Sequence, residues 1–144
     1  MPHIHVTAAE SQLNPIQRDA FMEELSNAVL TAENAPINDP GAQSLVWAYY
    51  NALPKSDIYI GGKNIAEPPF RIAVTTPQGA LNDKGRKSLV ANIGHIVDKY
   101  VGAFADGRLN HWAMLYEVNE GSWAGGGNVF PLAGIQAAMN IKVA

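Results

Sequence analysis

The chain contains itself twice, and that repetition constrains its fold more than any single motif. Val6, Thr7, Leu13, Asn14 and Arg18 recur 68 residues on as Val74, Thr75, Leu81, Asn82 and Arg86. Trp47-Ala48 and Gly61-Gly62 recur 65 residues on as Trp112-Ala113 and Gly126-Gly127, so the second copy is slightly shorter between its middle and its end. A duplicated unit of this size settles the architecture before any motif is weighed. Each copy opens with an alternating run, Ile4 and Val6 against His3, His5 and Thr7, then Phe70, Ile72 and Val74 against Arg71, Ala73 and Thr75. Period two reads as strand. Each then turns into a segment with apolar residues at helical spacing: Ile16, Ala20, Phe21, Leu25, Ala28 and Val29 in the first copy, Leu89, Val90, Ile93, Val97 and Tyr100 in the second. One stripe of each helix is expected to cover a sheet. Asn14 before Pro15 and Asn82 before Asp83 supply N-cap side chains, followed by a pre-set φ or a favourable first-turn charge. Loops over 34–41 and 106–110 lead to second strands expected at 45–52 and 111–118.

Strand, helix, strand implies a parallel pair joined by a right-handed crossover. The fold class predicted is therefore α/β (α+β): two tandem βαβ units forming a four-stranded sheet with both helices on one face. A single domain is expected over 1–144, with unit 1 at about 2–62, a linker at 63–69 and unit 2 at about 70–130. A short C-terminal helix is expected at 131–140. The linker ends Glu67-Pro68-Pro69, and two prolines cannot sit inside a strand ladder. Helices on one face leave the other face of the sheet bare, which predicts self-association through it, most simply as a homotrimer.

Composition narrows the function classes. The net charge is −3, with 16% charged residues, so the clustered Lys and Arg that neutralise phosphates are missing and no nucleic-acid partner is expected. Cysteine is absent, which removes disulfides, thiolate nucleophiles and Cys-based metal sites. No stretch approaches the roughly 18 apolar residues of a spanning helix and no basic-then-apolar leader opens the chain, so no membrane partner and a cytoplasmic location are expected.

A doubled βαβ chain that begins Met1-Pro2 and carries Gly-rich hairpins after its strands resembles the tautomerase superfamily across nearly its whole length. The opening Pro2 to Ala8 looks like the first strand of 4-oxalocrotonate tautomerase, cis-3-chloroacrylic acid dehalogenase and macrophage migration inhibitory factor. Leu13-Asn14-Pro15 is similar to the dehalogenase's Leu-Thr-Pro helix start, as is the hairpin Ile58-Tyr59-Ile60-Gly61-Gly62. The stretch Glu120-Gly121-Ser122-Trp123-Ala124-Gly125-Gly126 resembles the family's second Gly-rich hairpin, with Trp123 where the tautomerase has a pocket aromatic. The resemblance implies the tautomerase fold, no cofactor, and a catalytic proline at Pro2 whose amine is freed by loss of Met1. Retained, Met1 would lock that nitrogen in an amide. The repeat counterpart of Pro2 is Phe70, so one site per chain is expected.

An N-terminal proline is a secondary amine with a free lone pair, unlike any internal proline. Burial lowers the pKa of such an amine from about 7.7–8.0 towards neutrality, where it can take a proton beside a carbonyl and return it elsewhere. The family's polar partners do not map cleanly. The dehalogenase's paired arginines fall on Gln78 and Leu81, its helical histidine on Val29, its tyrosine on Met114 and its glutamate near Gly125. The smaller tautomerase's strand arginine falls on Trp47 or Trp112, and its loop arginine on Leu13 or Leu81. What remains is an apolar, aromatic-walled pocket, for which Trp112, Met114 and Trp123 are the candidate walls, Gln78 a polar contact and Arg71 the candidate cation. Each of these also reads as ordinary core or interface packing.

His3 and His5 share one strand face, a spacing that suits a metal only with a third ligand, and none stands nearby, so no metal is expected. Gly125 to Gly127 do not open a helix after a strand, which argues against a nucleotide site. The expected activity is tautomerisation of a small keto, enol or unsaturated acid by Pro2. The alternatives are a hydratase, lyase or dehalogenase reaction using the same amine, or a trimer that binds without catalysis.

Overall fold

The computed structural model describes residues 1–142, so the last two residues of the expected 1–144 span lie outside the described residues. The elements run β1 (His3–Ala9), α1 (Pro15–Ala32), α2 (Pro40–Ser44), β2 (Trp47–Leu53), β3 (Phe70–Pro77), α3 (Asp83–Val101), β4 (His111–Val118), β5 (Ala124–Gly125), β6 (Asn128–Val129) and α4 (Leu132–Ala138). The four long strands form one sheet in the order β2-β1-β3-β4. Within each repeat the strands are parallel, and the two repeats meet antiparallel through β1 and β3. The sheet is the α+β architecture that the duplication predicts.

Both long helices begin at the asparagines. Asn14 Oδ1 accepts the Gln17 N–H at 2.8 Å while Gln17 Oε1 accepts the Asn14 N–H at 3.1 Å, a reciprocal box that satisfies two otherwise orphaned donors. Asn82 Oδ1 accepts the Gly85 N–H at 2.8 Å. The core lies between helices and sheet: Phe21, Leu25 and Val29 from α1, Leu89, Ile93 and Val97 from α3, and Ile4, Val6, Ile72 and Val74 from the central strands, all essentially inaccessible to solvent. Phe21 meets Tyr100 edge to face at 5.4 Å and Phe70 at 5.5 Å. The helical stripes are narrower than periodicity suggests, since Ile16 and Val90 are exposed. Glu24 joins the helices across the surface, accepting from Lys99 Nζ at 2.6 Å and Tyr100 Oη at 2.7 Å.

The loop expected at 34–41 contains α2 instead of running straight to a strand. Asp39 Oδ2 accepts the Ala42 N–H at 2.8 Å, and Pro40 takes the first helical position, so an Asp-Pro-Gly that reads as a turn starts a helix. The second strand consequently begins at Trp47. α2 packs close to α4, where a Cβ on Gly41 would come within 2.9 Å of Asp39 Oδ2 and 3.3 Å of the Ala138 carbonyl. Together with the end of α1 they enclose a second, smaller cluster: Leu30, Ala35, Ala42, Ile135 and Met139.

The face of the sheet away from the helices carries His3, His5, Trp47, Tyr49, Arg71, Trp112, Met114 and Tyr116, following the register His3↔Trp47, His3↔Thr75 and Arg71↔Trp112. Trp47, Tyr49, Trp112 and Tyr116 are between 47% and 64% exposed. A contiguous face this aromatic is more apolar than a solvated surface ordinarily is. No helix among the described residues is long and apolar enough to cross a membrane.

Candidate active site

Pro2 is buried at the start of β1, and its carbonyl accepts the Trp47 N–H at 3.2 Å, which extends the β1–β2 pairing by one residue. It lines a cavity of about 360 Å³ with Met1, His3, Leu45, Trp47, Thr75, Val118, Ser122, Trp123, Ala124 and Gly125. The walls are mainly apolar and aromatic, and no Arg, Lys, Asp or Glu is among them. This volume suits a small organic ligand. The β5–β6 hairpin closes one side, with Trp123 accepting the Phe130 N–H at 2.8 Å on its carbonyl.

Of the residues expected at the site, the structure brings Trp123 to Pro2. Gln78 is exposed just beyond β3, where its N–H donates to the Val118 carbonyl at 2.8 Å and its Oε1 accepts the Glu120 N–H at 3.3 Å. It braces the turn after β4 and does not line the cavity. Arg71, Trp112 and Met114 do not line it either within one chain. They belong to another cavity of about 370 Å³, with Thr7, Leu53, Asp57, Ile58, Tyr59, Ile60, Pro69 and Phe70. On β3, Thr75 lines the first cavity and Arg71 the second, four residues or about 13 Å apart along the strand.

The two cavities are copies of one another under the repeat. Pro2 corresponds to Phe70, His3 to Arg71, Trp47 to Trp112, Ser122 to Asp57 and Trp123 to Ile58, at the same offsets that define the duplication. This accounts for the difference from expectation. The tryptophan that shares a unit with Pro2 is Trp47, and the repeat already links Trp112 to Phe70. In the second cavity Phe70 is 1% exposed and the place of Met1 is taken by Pro69, an internal imide without a basic nitrogen.

The electrostatics of the first cavity involve a residue that sequence reasoning did not single out. The α-amine of Met1 donates to Met139 Sδ at 3.3 Å. Burial lowers its pKa to about 6, and the charge of Glu33 partly opposes that. Glu33 is only 3% exposed, and neither carboxylate oxygen has a hydrogen-bond partner among the described residues. Burial raises its pKa to about 7, against the opposing pull of the α-amine. It occupies the C-cap of α1, where Asn34 at φ 60° closes a Schellman turn. In that turn the Ala35 N–H bonds the Leu30 carbonyl at 2.9 Å and the Asn34 N–H the Thr31 carbonyl at 3.1 Å. A helix end usually sits in solvent; this one is covered by α2 and α4.

His3 and His5 stand on the open face with a 3.1 Å contact between His5 Nε2 and His3 Nδ1, and Tyr49 stacks on His5 at 5.4 Å. Burial, then the neighbouring His5, lower the pKa of His3. Among the described residues no group of three or more His, Cys, Asp or Glu could hold a metal ion.

No family model and no curated protein matches the chain. Solved structures do. A fused 4-OT, solved as an asymmetric trimer, superposes with a TM-score of 0.72 at 18% identity, covering 88% of this chain and 94% of that one. The fold is that of the tautomerase superfamily. Macrophage migration inhibitory factor of Toxoplasma gondii shares the tautomerase fold at a TM-score of 0.66 and 17% identity, over 89% and 99% of the two chains. A member of the cis-3-chloroacrylic acid dehalogenase family shares it at 0.71 and 16%, over 90% and 83%. At such identities the likeness concerns the tautomerase fold alone, and the chemistry rests on the residues of this chain.

Proposed function

We propose that this chain, once Met1 is removed, is a tautomerase that interconverts the keto and enol forms of a small carbonyl compound, with the Pro2 amine as general base and acid. The observation that carries this reading is the position of Pro2: buried, at the wall of an apolar cavity large enough for such a substrate. Pro2 is itself buried against apolar walls, and such burial would lower the pKa of its amine towards neutrality, where it can accept a proton. In the forward step the C–H bond beside the carbonyl breaks, its proton passes to the Pro2 nitrogen, the electron pair forms the carbon–carbon double bond of an enolate as the C=O π pair moves onto oxygen, and the Pro2 ammonium then gives that proton to the oxygen to complete the enol. The reverse step returns the proton to carbon. No cofactor is required.

We further propose that the chain works as a homotrimer, in which the bare aromatic face is covered by other copies. The fused 4-OT structures, described as symmetric and asymmetric trimers, support this. The competing reading is a trimer that binds without catalysis. It is favoured by one observation: among the described residues no Lys or Arg lines the Pro2 cavity, so no permanent cation stands there to pair a substrate carboxylate.

The test begins with intact mass, to establish protein lacking Met1. Exchange of α-protons into D₂O is then followed by NMR for phenylacetone and phenylpyruvate, with wild type and Pro2→Ala. Catalysed exchange of either compound that is lost in Pro2→Ala supports the tautomerase reading. Equal rates in the two proteins, or no catalysis in either, refute it and leave the non-catalytic trimer.

A further inference from the structure

The chain has four arginines, and three of them are engaged. Arg18 lies over the Tyr50 ring at 5.7 Å, and Arg86 pairs with Asp83 at 3.2 Å and Glu117 at 2.7 Å. Arg108 pairs with Asp106 at 2.6 Å and lies over Phe104 at 4.9 Å. Among the described residues Arg71 has neither an ion pair nor an aromatic ring beneath its guanidinium. It lines the cavity of about 370 Å³ that the second repeat builds, whose walls are mainly apolar.

The strand register fixes what surrounds it. Arg71 stands on the open face of the sheet, with Thr7 directly across on β1 and Trp112 directly across on β4. Trp112, Met114, Ile58 and the buried Phe70 supply apolar wall, and Thr7 adds a hydroxyl on the same side of the sheet. Arg71 is itself exposed, so an incoming anion meets a planar fork of N–H donors beside an apolar wall, the arrangement that pairs a carboxylate through two parallel hydrogen bonds. Asp57 is the one acid among the described lining residues, and its Oδ1 accepts from the Ser56 hydroxyl at 3.1 Å. One cation beside one acid admits a single carboxylate and disfavours a dianion.

The repeat sharpens the contrast between the two cavities. The counterpart of Arg71 in the first is His3, which already contacts His5 at 3.1 Å and the Tyr49 ring at 5.1 Å. The first cavity therefore holds Pro2 without a charged side chain among its described lining residues, and the second holds a cation with Phe70 where Pro2 would be.

We propose that the second cavity is a binding site for an apolar monocarboxylate, an aromatic ring on a short carboxylate-bearing chain. The carboxylate takes the Arg71 fork, and the ring packs on Trp112, Met114 and Phe70. The volume and the aromatic walls suit a body of that size. With no counterpart of the Pro2 amine, this is a binding site and not a second reaction centre. It does not rest on the tautomerase reading, and it stands whether or not Pro2 is catalytic.

The experiment uses the whole protein labelled with ¹³C at its methionine methyls, with 3-phenylpropanoate as the probe and 3-phenylpropanamide as its uncharged counterpart. The four methionines tell the sites apart: Met114 lines the second cavity, Met1 lines the first with Met139 against its amine, and Met22 packs on the main core. In wild type the acid should shift the Met114 resonance saturably and leave Met139 and Met22 in place, and the amide should bind roughly 10- to 100-fold more weakly. Arg71→Met should weaken the acid by the same factor and erase the preference, and Arg71→Lys, which keeps the charge without the fork, should fall between. Equal affinity for acid and amide in wild type overturns the role of Arg71 without relying on any variant. A Met114 resonance that the acid does not move overturns the site itself. Movement of Met139 in its place would put the ligand in the Pro2 cavity, and a smaller assembly of Arg71→Met by light scattering would give the guanidinium to an acid of another copy.

Discussion

Replacement of Glu33 by Gln should stabilise the protein in a manner set by pH. In the folded chain the carboxyl titrates at about 7, raised from an ordinary value of 4.5, chiefly by burial. A raised carboxyl pKa means that the folded state holds its proton more tightly than the unfolded state does. Stability is therefore greatest below the unfolded pKa and falls as pH rises from about 4.5 through about 7. The shift of about 2.5 units, at 1.36 kcal/mol each, makes the ionised Glu33 a liability of about 3 kcal/mol above neutrality. Gln has nearly the same shape and never ionises, so Glu33→Gln should gain about 3 kcal/mol at pH 8 and about nothing at pH 4. The assay is urea unfolding of both proteins between those limits, at one fixed protein concentration because association also stabilises. A difference that does not vary with pH would refute the reasoning, because it would mean that Glu33 is solvated or paired in the folded protein.

Three other outcomes are expected. Asn14→Ala removes the side-chain half of the capping box at α1, the bond from the Gln17 N–H to Asn14 Oδ1, and should cost about 1 kcal/mol in the same assay. Phe21→Ala leaves a hole between Tyr100 and Phe70 at the centre of the main core and should cost about 3–5 kcal/mol, seen as a lower Tm; a loss comparable to that of a surface substitution would contradict the observed packing. Tyr49→Lys places a charge in the middle of the bare sheet face and should reduce the assembly to monomers by light scattering, whereas an unchanged mass would show that association uses another surface.

Much of the fold was legible in the sequence because it depends on short-range pattern. Alternation along β1 and β3 names their two faces, Asn14 and Asn82 name the helix starts, and the register of the duplication pairs the units. Each is a local preference repeated twice, so the two copies corroborate one another. Pro2 could be named as a candidate from the sequence, since a proline nitrogen is basic only at a chain's start; the structure adds that it is buried at a cavity wall. What misled was proximity. Trp112 and Trp47 are equivalent in composition and spacing, and only the parallel pairing of β1 with β2 puts Trp47 beside Pro2, while β4 carries Trp112 to the opposite end of the sheet face. The repeat encodes the same pairing, because it matches Pro2 with Phe70 and Trp47 with Trp112.

Glu33 was not legible in the sequence. A glutamate at the end of a helix is ordinarily solvated, and nothing within several residues marks it as different. Glu33 stands where distant segments meet, since the residues on either side of it, Leu30 and Ala35, cluster with Ala42 of α2, Ile135 of α4 and Met139. The sequence alone thus determined the doubled βαβ framework, the faces of its strands and the position of Pro2, because these follow from periodicity and capping chemistry. The tertiary structure decided which tryptophan walls the cavity and that the Glu33 carboxyl is buried without a partner among the described residues, because burial depends on packing between segments that are distant along the chain.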